Sequence, residues 1–115
     1  MYHSSAMALS IAVDPVPIRV SADGVALVGD TRVPIDTVVH AFERGWTPET
    51  IVRKFPTLRL PDVYAVVAYY LRHTDEVQAY LRERRAIAAE VRAENERRFP
   101  ADALRERARR RRAAR

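Results

Sequence analysis

The sequence predicts a mainly α-helical protein with a minor β component: a short N-terminal β-hairpin, a trihelical body, a long helix and a basic C-terminal arm. Three observations carry this expectation. Apolar residues recur at helical spacing over most of residues 36–98, punctuated by capping residues, prolines and glycines. Short apolar runs around an Asp-Gly pair occur only upstream of residue 36. Beyond Pro100 the apolar residues thin out and arginine accumulates. The chain accordingly divides into a leader (1–15), a hairpin plus helical body (16–74), a long helix (75–99) and a basic arm (100–115).

Each element has its own signal. In VPIRVSADGVALV, residues 16–28, two apolar runs flank Asp23-Gly24, and glycine supplies the positive φ that a tight hairpin turn needs. A third extended piece, Thr31 to Ile35, follows Gly29-Asp30; Pro34 lacks an N–H and confines it to an edge or an end. Asp36 is expected to cap helix one, with Val38, Val39, Ala41 and Phe42 facing inward and Gly45 ending it in a left-handed turn. Thr47-Pro48-Glu49 combines a capping hydroxyl, a proline at the first helical position and a carboxylate at the positive end of the dipole. That short second helix buries Ile51, Val52 and Phe55, and Pro56 stops it. A third helix is expected over Leu58 to Leu71, with Val63, Val66, Val67, Tyr70 and Leu71 as one stripe. The longest helix starts at Thr74-Asp75-Glu76 and runs to about Arg98, with Val77, Tyr80, Leu81, Ile87, Ala88 and Val91 as its seam. Arg84 interrupts that seam and Asn95 ends it, so its lower half is expected to finish its burial against a partner.

Charge is distributed unevenly. Residues 101–115 hold seven arginines against Asp102 and Glu106, which accounts for the whole net charge of +5 and leaves residues 1–100 balanced. A neutral body argues against a broad nucleic-acid-binding face, which needs clustered cations, whereas a basic arm suits nucleic acid, acidic protein surfaces or anionic membranes. Cysteine is absent, which removes disulfides and thiolate chemistry. No apolar run approaches the ~20 residues of a membrane span, and no lysine or arginine precedes the mildly apolar stretch Ala6 to Val13, so a loose leader in a soluble, cytoplasmic protein is expected.

Catalytic signals are missing. His3, His40 and His73 are scattered, and no HExxH, GxSxG, phosphate-binding loop or GxGxxG occurs. His40 and Glu43 share a helical face, but no third ligand stands at useful spacing, and a solvated face accounts for them. No enzyme, cofactor or metal is expected.

Helices one to three have the proportions of a helix-turn-helix unit, in which the third helix would enter the major groove near Arg59, Asp62 and Tyr64. The alternative is three helices that simply make a core. The third helix is chemically bland, with only Asp62 and Arg72 charged, whereas base edges are read mainly by Arg, Lys, Asn and Gln. Arg32, Arg53, Lys54 and Arg59, with Tyr64, are the candidate DNA contacts, mostly to phosphates.

Several blocks carry a resemblance: Gly-x-Thr-Arg-Val at Gly29 to Val33, Gly-x-Thr-Pro-Glu at Gly45 to Glu49, Phe-Pro-Thr-Leu at Phe55 to Leu58, Asp-Val-Tyr-Ala with Tyr-Tyr-Leu between Asp62 and Leu71, and Glu-Val-x-x-Tyr-Leu at Glu76 to Leu81. With weaker extensions to Asp14 and to Arg98-Phe99-Pro100, the chain resembles the family of small prokaryotic helix-turn-helix proteins of unknown function encoded beside PIN-like nucleases. Members are regarded as antitoxins. Two departures stand out: Asp30 replaces a second glycine found in many relatives, and Arg59 replaces a capping Thr or Ser before helix three.

The resemblance implies the antitoxin of a type II toxin–antitoxin pair, which binds and inhibits a PIN-like ribonuclease through its last helix and arm. Arg98, Arg105, Arg107 and Arg109 would pair with the carboxylates of a metal-binding active site, with Phe99 and Leu104 as apolar anchors. A solvated or nonspecific nucleic-acid-binding tail is the plainer reading of the same residues. Operator DNA is a second expected partner and a homodimer the expected state, the latter from the helix-three stripe, Tyr64, Tyr69 and the edge at Val33 to Ile35. The alternatives are a stand-alone DNA-binding transcriptional regulator and a small structural module.

Overall fold

A computed structural model describes residues 8–114. The leader's first seven residues, His3 among them, and Arg115 lie outside the described residues. The chain is mainly helical with one two-stranded antiparallel sheet, and it forms two compact units divided between Arg72 and His73.

The first unit opens with β1 (Ile18–Val20) and β2 (Ala26–Val28), paired in the register Ile18 to Val28, Arg19 to Leu27 and Val20 to Ala26. Gly24 takes φ +80°, and the Ser21 hydroxyl accepts the Val25 N–H at 3.2 Å, which closes the expected turn. All three β2 residues are buried, whereas β1 is largely exposed. The third extended piece is reduced to a single bridge between Leu27 and Pro34. Thr31 explains why: its hydroxyl donates to the Val28 carbonyl at 2.7 Å and accepts from the Val33 N–H at 3.1 Å, folding the chain into a turn. Asp30 fits this turn without a left-handed backbone, because no residue other than glycine has a positive φ among the described residues.

Helix α1 (Ile35–Glu43) starts two residues earlier than expected, and its N-cap is Pro34 rather than Asp36. The reason lies in two neighbours: proline presets φ near −65°, here −68°, and Ile35 is buried and drawn into the first turn. Asp36 lies inside that turn, with Oδ1 buried and unpartnered. The C-terminus follows expectation. Gly45, at φ +91°, donates to Phe42 O and Trp46 donates to Ala41 O, the paired bonds of a Schellman motif. Helix α2 (Pro48–Lys54) is capped by Thr47, whose side chain accepts the Thr50 N–H at 3.2 Å. Ile51 is its buried residue; Val52 and Phe55 are half-buried.

Helix α3 (Leu60–Arg72) begins two residues later than expected, with Leu58 buried in the preceding turn. The Arg59 carbonyl receives the first helical N–H groups, from Asp62 and Val63. Its stripe of Val63, Val66, Val67 and Tyr70 packs against α1 and α2, and Tyr70 meets Phe42 edge to face at 6.3 Å. Leu71 is exposed rather than part of this stripe. The core is thus built from β2 and one face each of α1, α2 and α3, with Val28, Val38, Val39, Ile51 and Val63 at its centre.

The second unit consists of α4 (Thr74–Arg98) and α5 (Ala101–Ala113). His73, not Thr74, occupies the α4 N-cap position. Of the expected seam only Val77 and Leu81 are buried; Tyr80 is half-buried and Ile87, Ala88 and Val91 are exposed. Phe99 leaves the helical region because a residue before proline is disfavoured there, and Pro100 then becomes the N-cap of α5. The Glu96 carboxylate accepts the Ala101 N–H at 3.2 Å and so satisfies an orphan donor of the new helix. No residue of α5 is buried.

Candidate functional site

Two of the five expected DNA-contact residues share one groove. Arg32, from the turn after β2, and Arg59, from the α2–α3 junction, line an open groove of about 800 Å³. Its apolar wall is Pro15 to Ile18 with Val33, and Asp30 and Asp62 add negative charge. Both arginines are exposed, and neither makes an ion pair among the described residues, so two guanidiniums remain available to phosphate oxygens.

One wall of the groove is tied to β1 by a residue whose role the sequence did not announce. Arg19 sits mid-strand in β1, and its Nε and Nη2 donate to the carbonyls of Gly29 and Thr31 at 3.0 and 2.9 Å. The signal was present in the hairpin register: period-two alternation sends Arg19 away from Ile18 and Val20, and pairing of residue 17 with 29 brings the following turn within its reach. Gly29 matters to the same wall. It has φ +53°, and a Cβ there would stand 2.9 Å from Asp62 Oδ2.

Arg53 and Lys54 lie elsewhere, exposed in the last turn of α2 and outside the groove lining. Cations there complement the negative end of the helix dipole, which is a structural reason for their position independent of any ligand. Tyr64 is 48% exposed, but its hydroxyl is committed: it donates to Glu49 Oε2 at 2.5 Å, tying α3 to the first turn of α2. This bond, more than a backbone bond to Glu49 itself, holds the Glu49 carboxyl below its ordinary range, and the same bond raises the Tyr64 phenol. Tyr64 therefore acts as a strut between helices as well as an exposed ring. Beside Trp46, Arg44 lies 5.2 Å from the ring centroid, a cation–π contact that shields the α1–α2 turn.

The six expected toxin contacts all belong to the second unit. Phe99 and Leu104 are 62% and 49% exposed. Arg98 pairs with Glu94 at 3.2 Å, Arg105 with Asp102 at 3.5 Å and Arg109 with Glu106 at 3.4 Å, all within their own helices. Arg107 has no ion pair among the described residues. Exposed pairs of this kind contribute about 0.2–1 kcal/mol, so they orient the guanidiniums without committing them. Ile87 and Val91 extend the exposed apolar set along α4.

Among the described residues no group of three or more His, Cys, Asp or Glu is placed to hold a metal ion, and His40 and Glu43 are both exposed on α1. No helix is long and apolar enough to cross a membrane.

Residues 22–70 match a family described as protein of unknown function (DUF433). The matched stretch lies wholly within the first unit and contains the Gly29, Gly45 and Phe55 blocks and all of the Asp62 block but Leu71; α4 and α5 lie outside it. No curated protein and no solved structure matches the chain.

Proposed function

We propose that this chain is a binding protein of the antitoxin type, consistent with its match to a family of unknown function over residues 22–70. It acts in the cytoplasm without catalysis, and inhibits a PIN-like ribonuclease through the end of α4 and through α5. The observation that carries this reading is the second unit itself. Its last 25 residues or so form helices with no buried side chain, on which Phe99 and Leu104 stand exposed among arginines. A surface of that composition suits a partner that offers apolar pockets beside clustered carboxylates, because guanidinium forks pair bidentately with carboxylates and stay charged at any physiological pH. The carboxylates that hold Mg²⁺ or Mn²⁺ in a nuclease are such a cluster.

The test begins with the reading frame adjoining the gene, whose failure to encode a PIN-like protein counts against this reading, and proceeds, where that frame is PIN-like, to its co-expression with this chain. Co-purification, with loss of the partner's ribonuclease activity, supports the reading. A neighbouring PIN-like protein that neither co-purifies nor loses activity overturns it.

A second reading, a stand-alone DNA-binding regulator, is favoured by one observation: Arg32, Arg53, Lys54 and Arg59 are exposed cations without ion pairs on the helical body. In a helix-turn-helix arrangement these would hold phosphates. The two readings coexist if the body binds operator DNA while α5 binds the toxin. They separate if DNA binding persists in a chain whose gene has no nuclease neighbour.

A further inference from the structure

Among the described residues, 8–14 have the strongest unexplained apolar exposure. Leu9, Ile11 and Val13 are 85%, 82% and 96% exposed, and they alternate with Ser10, Ala12 and Asp14. That alternation is the pattern of a half-buried strand, yet the segment has no secondary structure and none of the described residues covers it.

The same unit carries an unpaired strand edge. Among the described residues β1 pairs with β2 on one side only, in a two-stranded sheet. Gly29 donates to Pro17 O and Ser21 donates to Val25 O, and with Arg19 opposite Leu27 this turns the backbone groups of residues 17, 19 and 21 toward β2. Ile18 and Val20 therefore point theirs to the outer edge. The Ile18 N–H is taken by Val16 O, which leaves the Ile18 carbonyl and both Val20 groups facing outward. Natural edges are guarded in several ways, by an outward charge as well as by short length, proline or a bulge. Here the one charge on β1, Arg19, is folded back onto Gly29 and Thr31. Val20, on the same face as the buried Ala26 and Val28 opposite, is 68% exposed, so the apolar face of the sheet stops short at this edge.

We propose that residues 8–14 of one copy add as a strand to the outer edge of β1 in a second copy of this chain, each copy donating one strand and receiving one. Strand addition satisfies the outward groups of Ile18 and Val20, and it lays Leu9, Ile11 and Val13 beside Val20 to continue the apolar face. The donor is a second copy because only four residues, Asp14 to Pro17, separate Val13 from β1. Two of them are prolines, whose φ near −65° is incompatible with the positive-φ turns of a tight hairpin, and residues 14–16 form no turn that would return the segment to its own strand. The donated segment is uncharged from Ala8 to Val13, matching an edge with no free charge. At ~3.3 Å per residue it outreaches the three residues of β1 and extends onto the flanking chain. Reciprocal exchange counts every buried residue twice, which is how so short a segment approaches the ~800 Å² per partner of a stable interface. Such an exchange is isologous and closes as a dimer. It leaves α3 uninvolved, in keeping with the burial of Val63, Val66, Val67 and Tyr70 within the chain. It is independent of the toxin and DNA readings.

The test uses the full chain. Light scattering is expected to give a dimer at tens of micromolar. Ile11→Pro, which removes a strand N–H, is expected to raise the dimer dissociation constant at least tenfold with the far-ultraviolet helix signal unchanged. Val20→Asp on the receiving edge gives the same loss without touching the donated segment. Because the chain has no cysteine, Val13→Cys in a size-tagged copy and Val20→Cys in an untagged one report directly, through a short bis-maleimide, which edge the segment meets. A tagged–untagged product supports exchange. A monomeric wild-type chain, both variants dimerising as tightly as wild type, or no tagged–untagged cross-link overturns it.

Discussion

At Gly29 two constraints meet that no other glycine of the described residues combines. Its φ of +53° is left-handed, and a methyl group there would press on the Asp62 carboxylate, whereas Gly24 and Gly45 have positive φ but open space around them. Gly29→Ala is therefore expected to destabilise the fold by about 1–3 kcal/mol, from a left-handed non-glycine residue, and to displace Asp62 besides. Gly29→Ala combined with Asp62→Ala should recover the steric part, and denaturant unfolding of the two variants measures the difference. Equal stability of Gly29→Ala and wild type would remove the argument.

Glu49 and Tyr64 give a residue-scale expectation in pH. The Glu49 carboxyl is held down, first by the Tyr64 hydroxyl, so its share of stability is present above the unfolded carboxylate's pKa and is lost as pH falls through the lower folded value. The Tyr64 phenol is held up by the same bond, so its share is present below the unfolded phenol's pKa and fades as pH rises through the raised one. In Tyr64→Phe the Glu49 titration followed by NMR should move up toward the ordinary carboxylate range. A titration that stays in place would mean that the backbone bond alone sets it.

Elements were legible where local chemistry and burial agree. Thr47-Pro48-Glu49 and Gly45 mark the two sides of the α1–α2 turn because cap, proline and left-handed glycine are each decided within a few residues. At Pro34 to Asp36 two local rules compete, a carboxylate cap against a preset proline and a buried Ile35, and burial decides. Leu71 satisfied the apolar spacing of α3 yet lies exposed, since spacing defines a stripe but not its width. In the groove, Arg32 and Arg59 were legible as cations, but their convergence was not, because it depends on the α3 start meeting the turn after β2. For α2 the expectation is electrostatic. If the body binds DNA, Arg53→Glu with Lys54→Glu should weaken binding to all sequences alike and flatten its salt dependence, since phosphate contacts release counterions without reading bases. Loss of binding to one operator with random DNA unaffected would show that α3 reads bases despite its bland surface.

At the scale of the whole chain, charge and burial separate in the same direction. Residues 1–100 are balanced and carry the buried core, whereas residues 101–115 carry the net charge and none of the described residues among them is buried. Helical propensity and side-chain pairs such as Arg105 with Asp102 and Arg109 with Glu106 favour a helix in α5, but an isolated helix of this length is marginal in water. On the proposed reading, its stability and its function both come from what it meets. If α5 docks on a PIN-like partner, truncation after Arg92 should leave a folded body that no longer inhibits that partner. Phe99→Ala and Leu104→Ala should leave folding unchanged and raise the dissociation rate of the complex, because loss of a buried anchor is felt mainly in how long a complex persists. A tenfold faster rate corresponds to about 1.4 kcal/mol. Arg105→Glu with Arg107→Glu should go further and restore ribonuclease activity, by setting like charges beside the partner's carboxylates. Dissociation rates from surface-immobilised partner and a fluorogenic RNA assay measure both effects. A chain truncated after Arg92 that still inhibits with undiminished affinity would move the inhibitory surface to the helical body, where the exposed faces of α1 to α3 would have to supply it.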